Sequence, residues 1–315
     1  MRFLIAGPGA VGGFVAARLA DGGQDVTVLA RPHRAEQLRD NGLRLASQDG
    51  IRTVRTSVAT AGELRSGYDA IVLAVKSSDL HSVMDDIGPA AKPPAMILPF
   101  LNGIAHVETL VGRFGSAVLG GVLRVATQVG DDGTIRVLAP EFDVEVGELD
   151  RPPSTRVEEL ASAFRAAGAN VTVRDDIVGA MWAKWVFIIS ISAVTSLMRA
   201  PVGDIVAVPG GEEFARAVLA EAAAAAQAAG HPIRAEQLQL TQQTLTAAGS
   251  SVTASLSRDL VAGRPTEVDV LGDFVERARA AGAPAPLIDV SALALRVHNR
   301  RVLSARASRR SPSRT

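Results

Sequence analysis

Residues 1–19 read MRFLIAGPGAVGGFVAARL. Phe3 to Ala6 is an apolar run long enough for one buried strand. Gly7, Gly9 and Gly12 follow in G-x-G-x-x-G spacing, and Val11, Val15, Ala16 and Leu19 then fall at helical spacing. Strand, glycine turn and helix in this order form a dinucleotide-binding fingerprint. Gly7 permits the tight turn. Gly9, lacking a Cβ, lets a pyrophosphate approach the backbone. Gly12 lets the helix pack closely on the strand. The helix N-terminus then offers unpaired N–H groups and the positive end of its dipole to the phosphates. The plain alternative is a glycine-rich turn with no ligand.

The rest of the composition narrows the classes. The 315 residues carry no formal net charge, and 47% are hydrophobic. That predicts two domains, or one large one, with a sizeable core. A neutral balance gives no electrostatic ground for binding nucleic acid or a membrane surface. The absence of cysteine excludes disulfides, thiolate metal sites and cysteine nucleophiles. The five histidines are scattered without an H-x-x-x-H pair, so no metal site is expected. The N-terminus has no basic n-region or cleavage site, which makes the cytoplasm the expected compartment. Residues 185–197 (WVFIISISAVTSL) are the most apolar run, read as a buried core helix too short to span a bilayer.

Asp25 to Ala30 reads as a second strand, and the residue at its end bears on the choice of cofactor. NAD sites usually place an acid there for the ribose 2′-hydroxyl. This chain has Arg31, with His33 and Arg34 close behind. A guanidinium pairs with a 2′-phosphate, which predicts NADP (NADPH) rather than NAD; otherwise these are solvated charges at a helix start. Tyr68 to Val75 is a further strand, with Lys76 at its carboxyl end, where ligands gather in open α/β sheets. Lys76 either meets the cofactor or is a surface lysine. Ala95 to Phe100 is another strand, leading into Leu101-Asn102-Gly103, where Asn102 could bridge cofactor and substrate or simply make a turn. Strand-like segments at 116–129, 134–139 and 142–148, with a turn at Asp131-Asp132-Gly133, precede a helix at 155–167 and a last strand at 170–174.

From there the pattern is helical, with a turn at Val202-Gly203-Asp204. The expected architecture is α/β: residues 1–174 as an N-terminal Rossmann-type doubly wound sheet binding NADP, residues 175–304 as an all-α substrate and catalytic domain, and residues 305–315 as a disordered tail. Reduction of a carbonyl develops negative charge on oxygen, so a cationic acid is wanted beside it. Lys184 stands in the otherwise apolar MWAKWVFIISIS, where desolvation would make it a usable acid near neutrality, with Ile188, Ile191, Ser192 and Thr195 on its helical face. The alternative is a snorkelling lysine on a core helix. In residues 253–272, Ser255 could donate to a carboxylate and Glu267 could pair with a cation, or both could merely begin helices.

With these residues assembled, the chain resembles the ketopantoate reductase family (2-dehydropantoate 2-reductases) over about residues 1–300. The marks are GPGAVGG at 7–13, Arg31, Lys76 after VLAV, Asn102-Gly103, Trp182-x-Lys184, and Ser255…Asp259 with Thr266-Glu267-Val268-Asp269. The resemblance implies NADPH-dependent reduction of a 2-keto acid to a 2-hydroxy acid, in the family ketopantoate to pantoate for pantothenate. It implies a cofactor loop of Gly7, Pro8, Gly9, Ala10, Val11 and Gly12, joined by Arg31, Lys76, Asn102, the backbone of Ala126, and Glu267. Lys184, as proton donor, and Glu267 would be the catalytic residues, with Asn102, Lys184, Ser192 and Ser255 on the substrate side. Ile188, Ser192 and Val202 stand where the family usually has asparagine, and Leu101 where it has glutamine, which predicts weaker binding of a hydroxylated substrate. The partner expected is a small-molecule 2-keto acid, with no nucleic acid, no membrane, and a homodimer left open. The rivals are a 3-hydroxyacid or 6-phosphogluconate-type dehydrogenase and a non-catalytic NADPH-binding sensor.

Overall fold

The computed structural model describes residues 1–310. It divides into two compact units, Met1–Met181 and the residues from Trp182 onward.

The first unit is built on β1 (Arg2–Ala6), α1 (Ala10–Asp21), β2 (Asp25–Leu29), α2 (Pro32–Asn41), β3 (Leu43–Ser47), β4 (Gly50–Val54), β5 (Ser57–Ala59), β6 (Ala70–Leu73), α3 (Leu80–Ile87), β7 (Met96–Pro99) and α4 (Ala105–Phe114). β8 (Gly120–Val129), β9 (Ile135–Gly147), α5 (Thr155–Ala166) and β10 (Asn170–Val173) complete it. A five-stranded sheet runs in the order β5-β2-β1-β6-β7, and every pairing in it is parallel. Successive side chains of a strand point to opposite faces. Phe3 and Ile5 of β1 therefore enter one apolar cluster, with α1 and Phe164 of α5, while Leu4 and Ala6 enter another, with α3 and Leu110 of α4. Burial on both faces is why these strands read as unbroken apolar runs rather than alternating ones.

A second sheet runs β10-β9-β3-β4, with β8 antiparallel to β9. The sequence suggested two segments, 134–139 and 142–148, but β9 is one strand of 13 residues. The apparent break is a bulge. The register steps from Val125 opposite Phe142 to Thr127 opposite Val137, so the intervening residues around Pro140, which has no N–H to give the ladder, fall out of step. The expected turn at Asp131–Gly133 is present between β8 and β9, with Asp132 accepting from the Thr134 N–H at 3.0 Å and from its hydroxyl at 2.7 Å.

The second unit is helical: α6 (Ile177–Met198), α7 (Val202–Val206), α8 (Gly211–Ala228), α9 (Ala235–Leu245), α10 (Ser255–Val261), α11 (Asp269–Ala280) and α12 (Pro286–Arg310). The units part within α6 rather than at Arg174–Asp175, because the first turn of that helix packs on the sheet. A Cβ on Gly120 would come within 2.6 Å of the Ile177 side chain, and one on Gly147 within 2.9 Å. By length and composition α6, with 22 residues, could cross a bilayer, which the apolar run alone could not; most of it is buried inside the protein, as a core helix is. The expected turn at 202–204 is the helix α7, docked through Val202 N–H to Val252 O (3.0 Å) and Gly203 N–H to Ser250 O (2.8 Å). The backbone stays helical through Arg310, into the stretch expected to be disordered, since alanine and arginine extend a helix at little cost. The remainder of that stretch, 311–315, lies outside the described residues.

Candidate functional site

The glycine turn leaves the carboxyl end of β1. Gly7 has φ +92°, and a Cβ there would lie 2.6 Å from the Val75 side chain and 2.8 Å from the Ala74 carbonyl oxygen. A Cβ on Gly12 would lie 2.2 Å from the Gly7 oxygen, so helix and turn touch backbone to backbone. Around Gly9 a Cβ would meet nothing within 4 Å. That open space lies at the N-terminus of α1, which no side chain caps and whose first turn holds no acidic residue. Pro8, Gly9, Ala10 and Val11 are its solvent-reaching residues. The N–H groups and the positive dipole end fit a pyrophosphate.

The two glycines should therefore fail differently. Gly12→Ala must displace backbone and is expected to destabilise the chain by about 1–3 kcal/mol. Gly9 has φ −83°, which any residue adopts, so Gly9→Ala should melt within a few degrees of the parent yet bind a nicotinamide dinucleotide at least about tenfold more weakly. Thermal unfolding and calorimetric titration of both variants check this; equal melting and equal affinity for the two would refute it.

Arg31, Lys76 and Asn102 lie just beyond the carboxyl ends of β2, β6 and β7, the same edge of the sheet that carries the glycine turn. Arg31 Nη2 donates to Asp79 Oδ1 at 2.6 Å. Arg34 is turned elsewhere, donating to the Gly133 carbonyl and to Gln37 Oε1, each at 3.2 Å, and burial lowers its pKa. It braces the β8–β9 turn instead of standing beside Arg31. Ala126 sits at the bulge of β8, and the neighbouring Thr127 hydroxyl is buried without a hydrogen-bond partner. Bulges re-aim backbone groups, the type of contact expected of Ala126.

Lys184 is half-buried on α6 between two tryptophans. Trp185, 1% exposed, donates from Nε1 to the Val270 carbonyl of α11 at 3.2 Å. Its ring meets Phe274 edge-on at 5.0 Å, and Trp182 stacks on His231 at 4.9 Å. Glu267, also half-buried, precedes α11. Its neighbour Thr266 donates from N–H (2.8 Å) and hydroxyl (3.1 Å) to Asn299 Oδ1, and accepts from Asn299 Nδ2 (2.9 Å). Thr195 Oγ1 donates to the Ile191 carbonyl at 2.6 Å and accepts from the Ala254 N–H at 3.3 Å, while Ser257 donates to the Thr195 carbonyl at 3.1 Å. Ser255, exposed at the start of α10, is thus held by α6 through its neighbours. Packing thus ties Lys184's turn of α6 to α11 just after Glu267, through Trp185 and Val270, while the start of α10 beside Ser255 is tied three turns further along α6, at Thr195. Ser192 is 1% exposed and its hydroxyl has no partner; Ile188 is half-buried and Val202 fully buried.

Sequence reasoning missed Asp79 as the partner of Arg31, 48 residues away, and Trp185 and Asn299 as the ties that hold the helices. No local pattern links such pairs. For Trp185, a tryptophan beside a lysine in an apolar helix was the available signal, since buried indoles seek an acceptor.

Two family models match the chain: one described as ketopantoate reductase PanE/ApbA over residues 3–151, the other as its C-terminal part over residues 176–298. The uncharacterised oxidoreductase YkpB of Bacillus subtilis (strain 168) is 31% identical, over 92% of this chain and 96% of its own. The 2-dehydropantoate 2-reductase of Halobacterium salinarum is also 31% identical, over 95% of this chain and 99% of its own. The crystal structure of a PanE/ApbA family ketopantoate reductase from Ralstonia eutropha JMP134 superposes with a TM-score of 0.86 at 27% identity, over 96% of this chain and 100% of that one.

Proposed function

The chain belongs to the ketopantoate reductase family, and from that premise we propose that it reduces a 2-keto acid to the corresponding 2-hydroxy acid with NADPH, 2-dehydropantoate being the first substrate to test. The observation that carries this reading is Lys184, a lysine half-buried in a core helix whose neighbour Trp185 is anchored to α11.

A bound nicotinamide cofactor supplies the hydride for the keto carbon. Gly7 to Gly12 cradle its pyrophosphate and Arg31 takes the 2′-phosphate, with Lys76, Asn102, the Ala126 backbone and Glu267 as further cofactor contacts. Lys184 donates its proton to the carbonyl oxygen as negative charge develops there. Ser255 donates to the substrate carboxylate, and Asn102 orients the keto group. Ser192 offers an uncommitted hydroxyl on the face of α6 that carries Lys184. Ile188, one turn from Lys184, has no hydrogen bond to give. This favours a second reading, a 2-keto acid with an apolar side chain.

The experiment is NADPH oxidation by the full chain with 2-dehydropantoate, with the analogue lacking its hydroxymethyl group, and with other 2-keto acids. Turnover of at least one is expected. A kcat/KM higher for the analogue supports the second reading. NADPH binding without turnover of any acid would overturn the reductase assignment in favour of a sensor.

A further inference from the structure

Asp79 holds the N-cap position of α3, where aspartate is among the best capping residues. It caps nothing: its side chain makes no hydrogen bond to the first turn of that helix. Its Oδ1 instead accepts from Arg31 Nη2 at 2.6 Å. The sheet order makes this contact pointed. β2 and β6 flank β1 on its two sides. Arg31 follows β2 and Asp79 lies beyond β6, so the pair joins the two loops on either side of the glycine turn. The residue at the end of the second strand is the one that meets the ribose 2′ position of a dinucleotide. Arg31 is therefore committed to a carboxylate at the place where a 2′-phosphate would claim it.

Charge decides the outcome. Arg31's side chain is 77% exposed and Asp79's 39%, so solvent screens the pair and a phosphate can compete for the guanidinium. The phosphate must displace an existing partner, and it must do so beside that partner's negative charge. A 2′-hydroxyl, being neutral, meets neither opposition.

We propose that Asp79 is a specificity-determining residue for the cofactor: by holding Arg31, it narrows the preference for NADPH over NADH. This rests on the reading that a dinucleotide lies on the glycine turn.

The test is calorimetric titration of the full chain and of Asp79→Asn, Arg31→Ala and the double variant with NADPH and with NADH, without substrate. Asp79→Asn is expected to bind NADPH about 3- to 10-fold more tightly, with NADH changed less than about twofold, the scale set by an exposed ion pair and a nearby like charge. Arg31→Ala should lose most of the NADPH preference, and removing Asp79 in that background should tighten NADPH binding less than it does in the parent, because only the direct like-charge effect is then left to remove. Since Asp79 forms no cap, its replacement leaves α3 without a lost hydrogen bond. Unchanged NADPH affinity in Asp79→Asn, or equal tightening for both cofactors, would overturn this inference and leave the reductase reading standing. Failure of every form to bind either cofactor would overturn both.

Discussion

Lys184→Ala is expected to lower kcat by about 10²–10⁴-fold, the range supplied by a positioned general acid, with NADPH affinity within about twofold of the parent. The separation follows from where the residues sit. Lys184 is on α6, whereas the glycine turn, Arg31 and Lys76 all lie on the carboxyl edge of the parallel sheet. Lys184→Arg keeps the charge but not the size or acidity of an ammonium, and should recover little of the loss. Trp185→Phe keeps the ring, loses the donor to Val270, and should give a smaller fall. Steady-state kinetics on whichever 2-keto acid is turned over, with calorimetric titration of NADPH, measures all three. A Lys184→Ala enzyme as fast as the parent would remove the proton donor from the mechanism.

The second large effect concerns stability. Glu148 follows β9, and its side chain is 1% exposed. It accepts from Ser154 Oγ (2.5 Å), from Arg156 Nε (2.9 Å) and Nη2 (2.5 Å), and from Arg151 Nη2 (3.1 Å), binding the end of β9 to the start of α5. Burial, the largest single influence, pushes the carboxyl up, but these hydrogen bonds and the Arg156 charge outweigh it and hold the pKa at about 2 against an ordinary 4.5. A folded pKa below the unfolded one stabilises the fold above the unfolded value, and the contribution is lost as pH falls through the folded one. The shift corresponds to about 3 kcal/mol, present above pH 4.5 and fading towards pH 2. Glu148→Gln should therefore be about 3 kcal/mol less stable than the parent at pH 6, with the gap closing as the pH is lowered through that window. Urea unfolding of both chains across pH measures it, and a gap that does not change with pH would refute the linkage.

The parts of this fold that were legible are those whose cause is local. β1, the glycine turn and α1 follow from a run of four apolar residues, three glycines and a helical repeat within the first 19 positions. The hairpin at Asp131–Gly133 follows from turn chemistry in three residues. What depended on distant packing was misplaced. The unit boundary moved into α6 because Ile177 fills the space over Gly120 and Gly147, glycines 57 and 30 residues upstream. The break seen in β9 was real but was a bulge, because the partner strand carries the ladder past Pro140. Val202–Val206 became helical because its first N–H groups find carbonyls at 250–252.

The candidate site divides along the same line. Residue types at strand ends were readable, and Gly9 faces open space. The commitments of the charged side chains were not readable. Of the two arginines expected near a 2′-phosphate, one braces a turn and the other holds an aspartate, and only their packed neighbours reveal this.

The placement of the indoles has an optical consequence. The chain has two tryptophans and one tyrosine, and both tryptophans flank Lys184. Emission excited at the red edge of protein absorbance thus originates from a single turn of α6. Ligand arrival, a change in solvation or a shift of the His231 stack should all register in its wavelength and intensity, so the native protein carries its own label at the position proposed for the chemistry.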